Sequence, residues 1–171
     1  QDRSQKGFNT IQAVVISENY NYIPSVSDEV PFVDQNIETP NPNFFAFVKN
    51  RILVAAEYNL YILLLPTWAE YVTPRVQNIP MFTTPEAGYR YGKYLGELLA
   101  DCPNVLWCLG GDRLPNESAW GIAVWRSMAH GIADGVNHET SDPENADYSD
   151  TFMTYHCYAS SRKWFHQDSW I

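Results

Sequence analysis

The chain has 171 residues, 45% of them hydrophobic, which suits one packed domain and argues against disorder. Its formal charge is -9, from 20 acidic and 11 basic side chains, so it lacks the Lys/Arg surface that a nucleic-acid backbone demands and suits a neutral partner. No run of about 18 apolar residues occurs, so no membrane span is expected, and three cysteines without zinc-type spacing suggest neither a disulfide framework nor a metal site.

Residues 1–6 read as the tail of a helix, with Gly7 as the residue after its cap and Lys6 at the negative end of the dipole. This opening has no apolar leader and no initial Met, which predicts an internal piece of a longer protein. Residues 10–16 form a β-branched, nearly continuous apolar run, the pattern of a strand buried on both faces. A long polar, proline-bearing loop follows over 17–42.

Asn43 is the expected cap of a helix over 44–59, whose inner stripe is Val48, Ile52, Ala55 and Ala56 and whose stop signal is Asn59. A second buried strand is predicted over 60–66, ended by Pro66, and a second loop over 67–80. Thr84 as N-cap and Pro85 at the first helical position open the next helix, with Tyr91, Tyr94, Leu95, Leu98 and Leu99 on its apolar face. Pro103 and Asn104 break it before a third strand over 105–109, which runs into Gly110-Gly111-Asp112-Arg113. A helix over 119–136 buries Ile122, Trp125, Met128, Ala129 and Ile132, a polar loop covers 137–150, and 152–158 reads as a fourth strand. Cys108 and Cys157 lie in apolar runs and read as small buried hydrophobes.

Alternating strands and helices imply βαβ units and an α/β fold with a parallel sheet. Long loops after strands and short ones before them suit either a barrel or a doubly wound sheet with its site on the C-terminal face. No glycine-rich nucleotide fingerprint is present. A whole (β/α)8 TIM barrel takes about 250 residues, so four strands with their helices make a partial one. The expected organisation is therefore a single incomplete domain over 1–171.

Residues just past each strand of such a sheet share one mouth: Glu18 and Asn19, then Thr67, Trp68 and Glu70, then Asp112 and Arg113, then His156 and Tyr158. Asp112 carries the sharpest signal. Two glycines let the backbone turn steeply and approach a ligand, and the carboxyl then projects over the mouth with Arg113 beside it. A nearby Arg lowers a carboxyl pKa and partial burial raises it; a general acid needs burial to dominate. The bland alternative is an Asp–Arg brace of the loop. Glu18 and Asn19 could bond sugar hydroxyls, Trp68 could stack on a ring or anchor its loop, and His156 could orient a ligand or sit satisfied in the core. The abundance of Trp, Tyr and Phe (6, 11 and 8) suits ligands with flat apolar faces, sugars among them. Glycosidic hydrolysis uses two carboxyl groups, of which Asp112 can be one.

The run from Lys6 to Gln12, Asn41-Pro42-Asn43-Phe44-Phe45, Asn104-Val105-Leu106-Trp107 with Gly110-Gly111-Asp112-Arg113, Trp125 with Met128-Ala129, and Thr154-Tyr155-His156 together resemble the apiosidase-like catalytic domain, glycoside hydrolase family 140 and relatives. The resemblance spans nearly the whole chain. It implies a (β/α)8 barrel with these strands at about the second to fifth positions. It also implies a secreted or periplasmic enzyme acting on plant cell-wall pectic glycans, with an apiosidase as the founding activity. Asp112 then corresponds to the acid/base, while Glu18, Asn19, Trp68, Arg113, His156 and Tyr158 are expected to bind substrate. The family's nucleophilic Glu lies after a later strand and has no counterpart in these residues, so the piece alone is expected to be inactive. No metal or cofactor is expected, and the partner is an oligo- or polysaccharide met by a monomer. The rival reading is a non-catalytic carbohydrate-binding protein on a degenerate barrel.

Overall fold

The computed structural model describes residues 1–17, 29–74, 80–136 and 153–156. Four parallel strands, β1 (Thr10–Ile16), β2 (Tyr61–Thr67), β3 (Val105–Gly110) and β4 (Met153–His156), form a sheet in the order β1-β2-β3-β4. A short α1 (Asp2–Gln5) precedes them, and α2 (Pro42–Glu57), α3 (Pro85–Leu99) and α4 (Gly121–Val136) occupy the three crossovers. Four consecutive strands lie side by side in chain order, an arrangement that neither common doubly wound order contains. The α/β expectation holds, and the order is that of successive units wound one way.

The local signals act largely as the sequence suggests. Gly7, at φ +82°, follows α1, and Asn59, at φ +55°, sits in the turn after α2. The Thr84 side chain accepts from Ala87 N at 3.2 Å with Pro85 at the start of α3. Three boundaries differ. The cap of α2 is Asn41, whose side chain accepts from Asn43 N at 3.1 Å, because Pro42 is preset for the first helical position and starts the helix earlier. The strand does not stop at Pro66: pairing with β1 resumes at Ile16–Thr67, and the Pro66 carbonyl accepts from the buried Tyr91 hydroxyl at 2.8 Å. Nor is β1 buried on both faces. Thr10 and Gln12 are exposed and only Val15 and Ile16 are buried, because among the described residues β1 has a strand neighbour, β2, on one side.

The core lies between the sheet and the helices. Phe45 of α2 and Tyr91 of α3 meet Phe32 and Phe82, which two loops deliver; the Phe82–Tyr91 rings stack at 4.8 Å and Phe32–Tyr91 meet edge-on at 5.8 Å. Edge and offset contacts of this kind add roughly 0.5–1.5 kcal/mol each beyond area burial. The loops after β1 and β2 therefore contribute core as well as rim. Trp125, Met128, Ala129 and Ile132 of α4 are buried as predicted, with Ile122 only half-buried. Cys108 is buried as expected, and Cys157 lies outside the described residues.

Asn104, expected from its neighbours to act as a helix breaker, does more. It is buried, and its Nδ2 donates to the carbonyls of Ile52 and Leu60, both at 3.0 Å, tying the start of β3 to α2 and to the entry of β2. Asn104→Ala removes both bonds, and the expected loss is about 1–3 kcal/mol in all, since the Ile52 carbonyl keeps its helical partner. Urea titration checks this; a midpoint equal to that of the unsubstituted protein would show that water replaces the amide without penalty.

Candidate active site at the strand tips

Parallel strands deliver their C-terminal ends to one side, and the register sets their heights. Ile16 pairs with Thr67 and Gly110 with His156. Extending the Leu64–Trp107 pairing along both strands puts Thr67 level with Gly110. Ile16, Thr67, Gly110 and His156 thus share one rung, and the described segments that leave β2 and β3 lie at the rim above it.

After β2, the chain turns through Trp68 into a 3-10 turn, Ala69–Tyr71. Trp68 N donates to Ile16 O at 2.9 Å, which ties this turn to the tip of β1. Glu70 is 2% exposed, so among the described carboxyl groups at this rim it is the buried one. After β3, Gly110 takes φ +99°, a left-handed conformation that a side chain would resist. Gly111 then passes so close to the β2 turn that a Cβ there would stand 2.8 Å from both the nitrogen and the Cβ of Ala69, and 3.3 Å from Cδ2 of the Trp68 ring. The double glycine is thus a steric requirement: the β3 tip presses its bare backbone onto Trp68-Ala69, and the next residue, Asp112, emerges at the rim.

Asp112 is exposed. Arg113 is an ion-pair partner of Glu117, at the end of the 3-10 turn Pro115–Glu117. The rest of the loop is fastened to the β2 turn: Trp120 Nε1 donates to Val72 O at 2.8 Å, and Ser118 Oγ lies 3.5 Å from the same carbonyl.

The structure therefore brings Trp68, Asp112 and Arg113 into two touching loops and puts the His156 backbone on the rung beneath them. Glu18, Asn19 and Tyr158 lie outside the described residues. Glu117 is the residue that sequence patterns do not single out as part of the site. Its signal is nonetheless present, as an Arg and a Glu four apart across a Pro-led turn. Among the described residues no cluster of three or more His, Cys, Asp or Glu could hold a metal ion, and no helix is long and apolar enough to cross a membrane.

The family model described as "Apiosidase-like, catalytic domain" matches residues 1–171. No curated protein matches the chain by sequence. Among solved structures, a glycoside hydrolase family 5 protein from Bacteroides vulgatus superposes with a TM-score of 0.68 at 22% identity, covering 99% of this chain and 33% of that one. A second structure, described as a glycoside hydrolase, has a TM-score of 0.65 at 24% identity, covering 98% of this chain and 34% of that one. The chain spans about a third of the length of these structures, and at such identities the likeness speaks for the fold.

Proposed function

Because this chain belongs to the apiosidase-like catalytic domain family, we propose that the protein is a glycoside hydrolase of plant cell-wall pectic glycans, an apiosidase among the candidates, with Asp112 as its general acid. The observation that carries the reading is the placement of Asp112 at the strand-tip rim, on a loop wedged by Gly111 against Trp68 and Ala69. In this reading the strands belong to a (β/α)8 barrel that continues beyond these elements, and the protein works as a secreted or periplasmic monomer.

Chemistry at the rim follows from the residue types. A saccharide settling over the mouth excludes water from the space above Asp112. The carboxyl proton passes to the glycosidic oxygen as the bond from that oxygen to the anomeric carbon breaks. The second carboxylate, from a later strand tip, attacks that carbon or activates water. Trp68 offers an apolar ring face to the sugar, Arg113 and His156 donors to its hydroxyls or carboxylate, and Glu18, Asn19 and Tyr158 further polar contacts. No metal enters this scheme.

The test is to incubate the intact protein with rhamnogalacturonan-II oligosaccharides and, separately, with cello- and xylo-oligosaccharides, following free sugar by chromatography. Release from the pectic set alone is the expected result. Binding of the pectic set without release would instead identify a carbohydrate-binding protein, and release from the cello- or xylo-set would move the substrate class.

A further inference from the structure

Asp112 stands between two neighbours whose positions are fixed by different contacts. On the amino side, Gly111 lies so near the β2 turn that a Cβ there would run into Ala69 and the Trp68 ring. On the carboxyl side, the Arg113 guanidinium pairs through Nη2 with Glu117 Oε2, while Glu117 Oε1 accepts from the backbone N–H of Leu114 at 3.3 Å. One carboxylate thus ties the side chain of the residue after Asp112 and the following peptide to the Pro115–Glu117 turn. Only a quarter of the Arg113 side chain and about a third of that of Glu117 is exposed, and Arg113 Nε is buried. The loop beyond is fastened again at Val72 by Trp120.

We propose that Glu117 is a positioning residue for Asp112: by locking Arg113 and Leu114 to the 3-10 turn, it holds the peptide between Gly111 and Leu114 in one conformation and so fixes where the Asp112 carboxyl stands over the mouth. Glu117 touches no substrate in this scheme. It acts by pre-organisation, because a reacting group displaced by about 1 Å can forfeit about 10²-fold in rate. The inference rests on the reading of Asp112 as general acid.

The experiment compares Glu117→Ala, Glu117→Gln and Asp112→Asn in the intact protein, with rhamnogalacturonan-II oligosaccharides and 4-nitrophenyl glycosides as probes. For Glu117→Ala, kcat is expected to fall about 10- to 100-fold with KM within about threefold of the original, since Arg113 keeps its side chain and charge for the sugar while the fixed position of Asp112 is lost. The thermal midpoint should hardly move, because a partly exposed ion pair contributes little to stability. Glu117→Gln, whose amide oxygen can still accept from Leu114, should recover part of the lost kcat. Unchanged kcat in both variants, or a fall in kcat that follows a matching loss of folded protein, overturns the proposal. If Glu117→Ala does not fold, Glu117→Gln decides alone: lower kcat at constant KM supports it and wild-type kcat overturns it. Asp112→Asn separates the two levels. Loss of turnover there with wild-type kcat in the Glu117 variants rejects Glu117 and keeps the hydrolase reading, whereas undiminished turnover in Asp112→Asn removes both.

Discussion

Asp112→Asn in the intact protein is expected to lower kcat/KM on pectic oligosaccharides by about 10²–10⁴-fold, the usual contribution of a positioned general acid. The substitution is nearly isosteric and replaces the ionisable carboxyl by an amide that cannot act as the acid. Asp112 is exposed, so the unfolding transition should be unaffected. The role also predicts a leaving-group dependence. A 4-nitrophenyl glycoside departs as a stable phenolate and needs little protonation, so its bond-cleavage step should lose far less than that of a sugar leaving group. A loss below about 10-fold on the natural glycan would be too small for an acid catalyst. An equal loss on both leaving groups would assign Asp112 to binding or to support of the loop.

The second large effect concerns the scaffold beneath the rim. Helices α3 and α4 pack backbone to backbone, and at Gly92 a methyl group would stand on the Met128 carbonyl oxygen, 3.0 Å from the Met128 carbonyl carbon and 3.1 Å from Ile132 N. All three are backbone atoms of a helix and cannot rotate away, unlike the tip of a side chain. Gly92→Ala gains helix propensity, about 1 kcal/mol, yet should lose more through forced separation of the helices, for a net destabilisation of about 1–3 kcal/mol. Gly92→Val should prevent soluble folding. Circular dichroism melts of the alanine variant read the first outcome directly. A midpoint at or above that of the unsubstituted protein would mean that the helices separate without penalty, and that the close approach is incidental.

Such close approaches mark the limit of what can be read along a chain. Tyr91, Leu95 and Leu99 declare the buried face of α3 by their spacing, because helical periodicity is a local property. That Gly88, Gly92 and Gly96 are buried too depends on how near α4 comes. Likewise, Thr84 and Pro85 announce a helix start from their own chemistry, whereas the choice of Asn41 over Asn43 as the cap of α2 was settled by the proline between them. At Pro66 the local rule was overridden: a residue that ordinarily ends a strand is accommodated here, with Tyr91 from α3 satisfying its carbonyl.

The sequence by itself determined the alternation of strands and helices, the parallel sheet and the rim position of Asp112, since these follow from apolar period, breakers and the double glycine. Tertiary structure alone decided the unbroken strand order, the shared rung of Ile16, Thr67, Gly110 and His156, the burial of Glu70, and the pairing of Arg113 with Glu117. The reason is range. Periodicity and capping act over a few residues, while strand neighbours, buried charges and the packing of one loop on another are set by segments that the chain brings together only on folding.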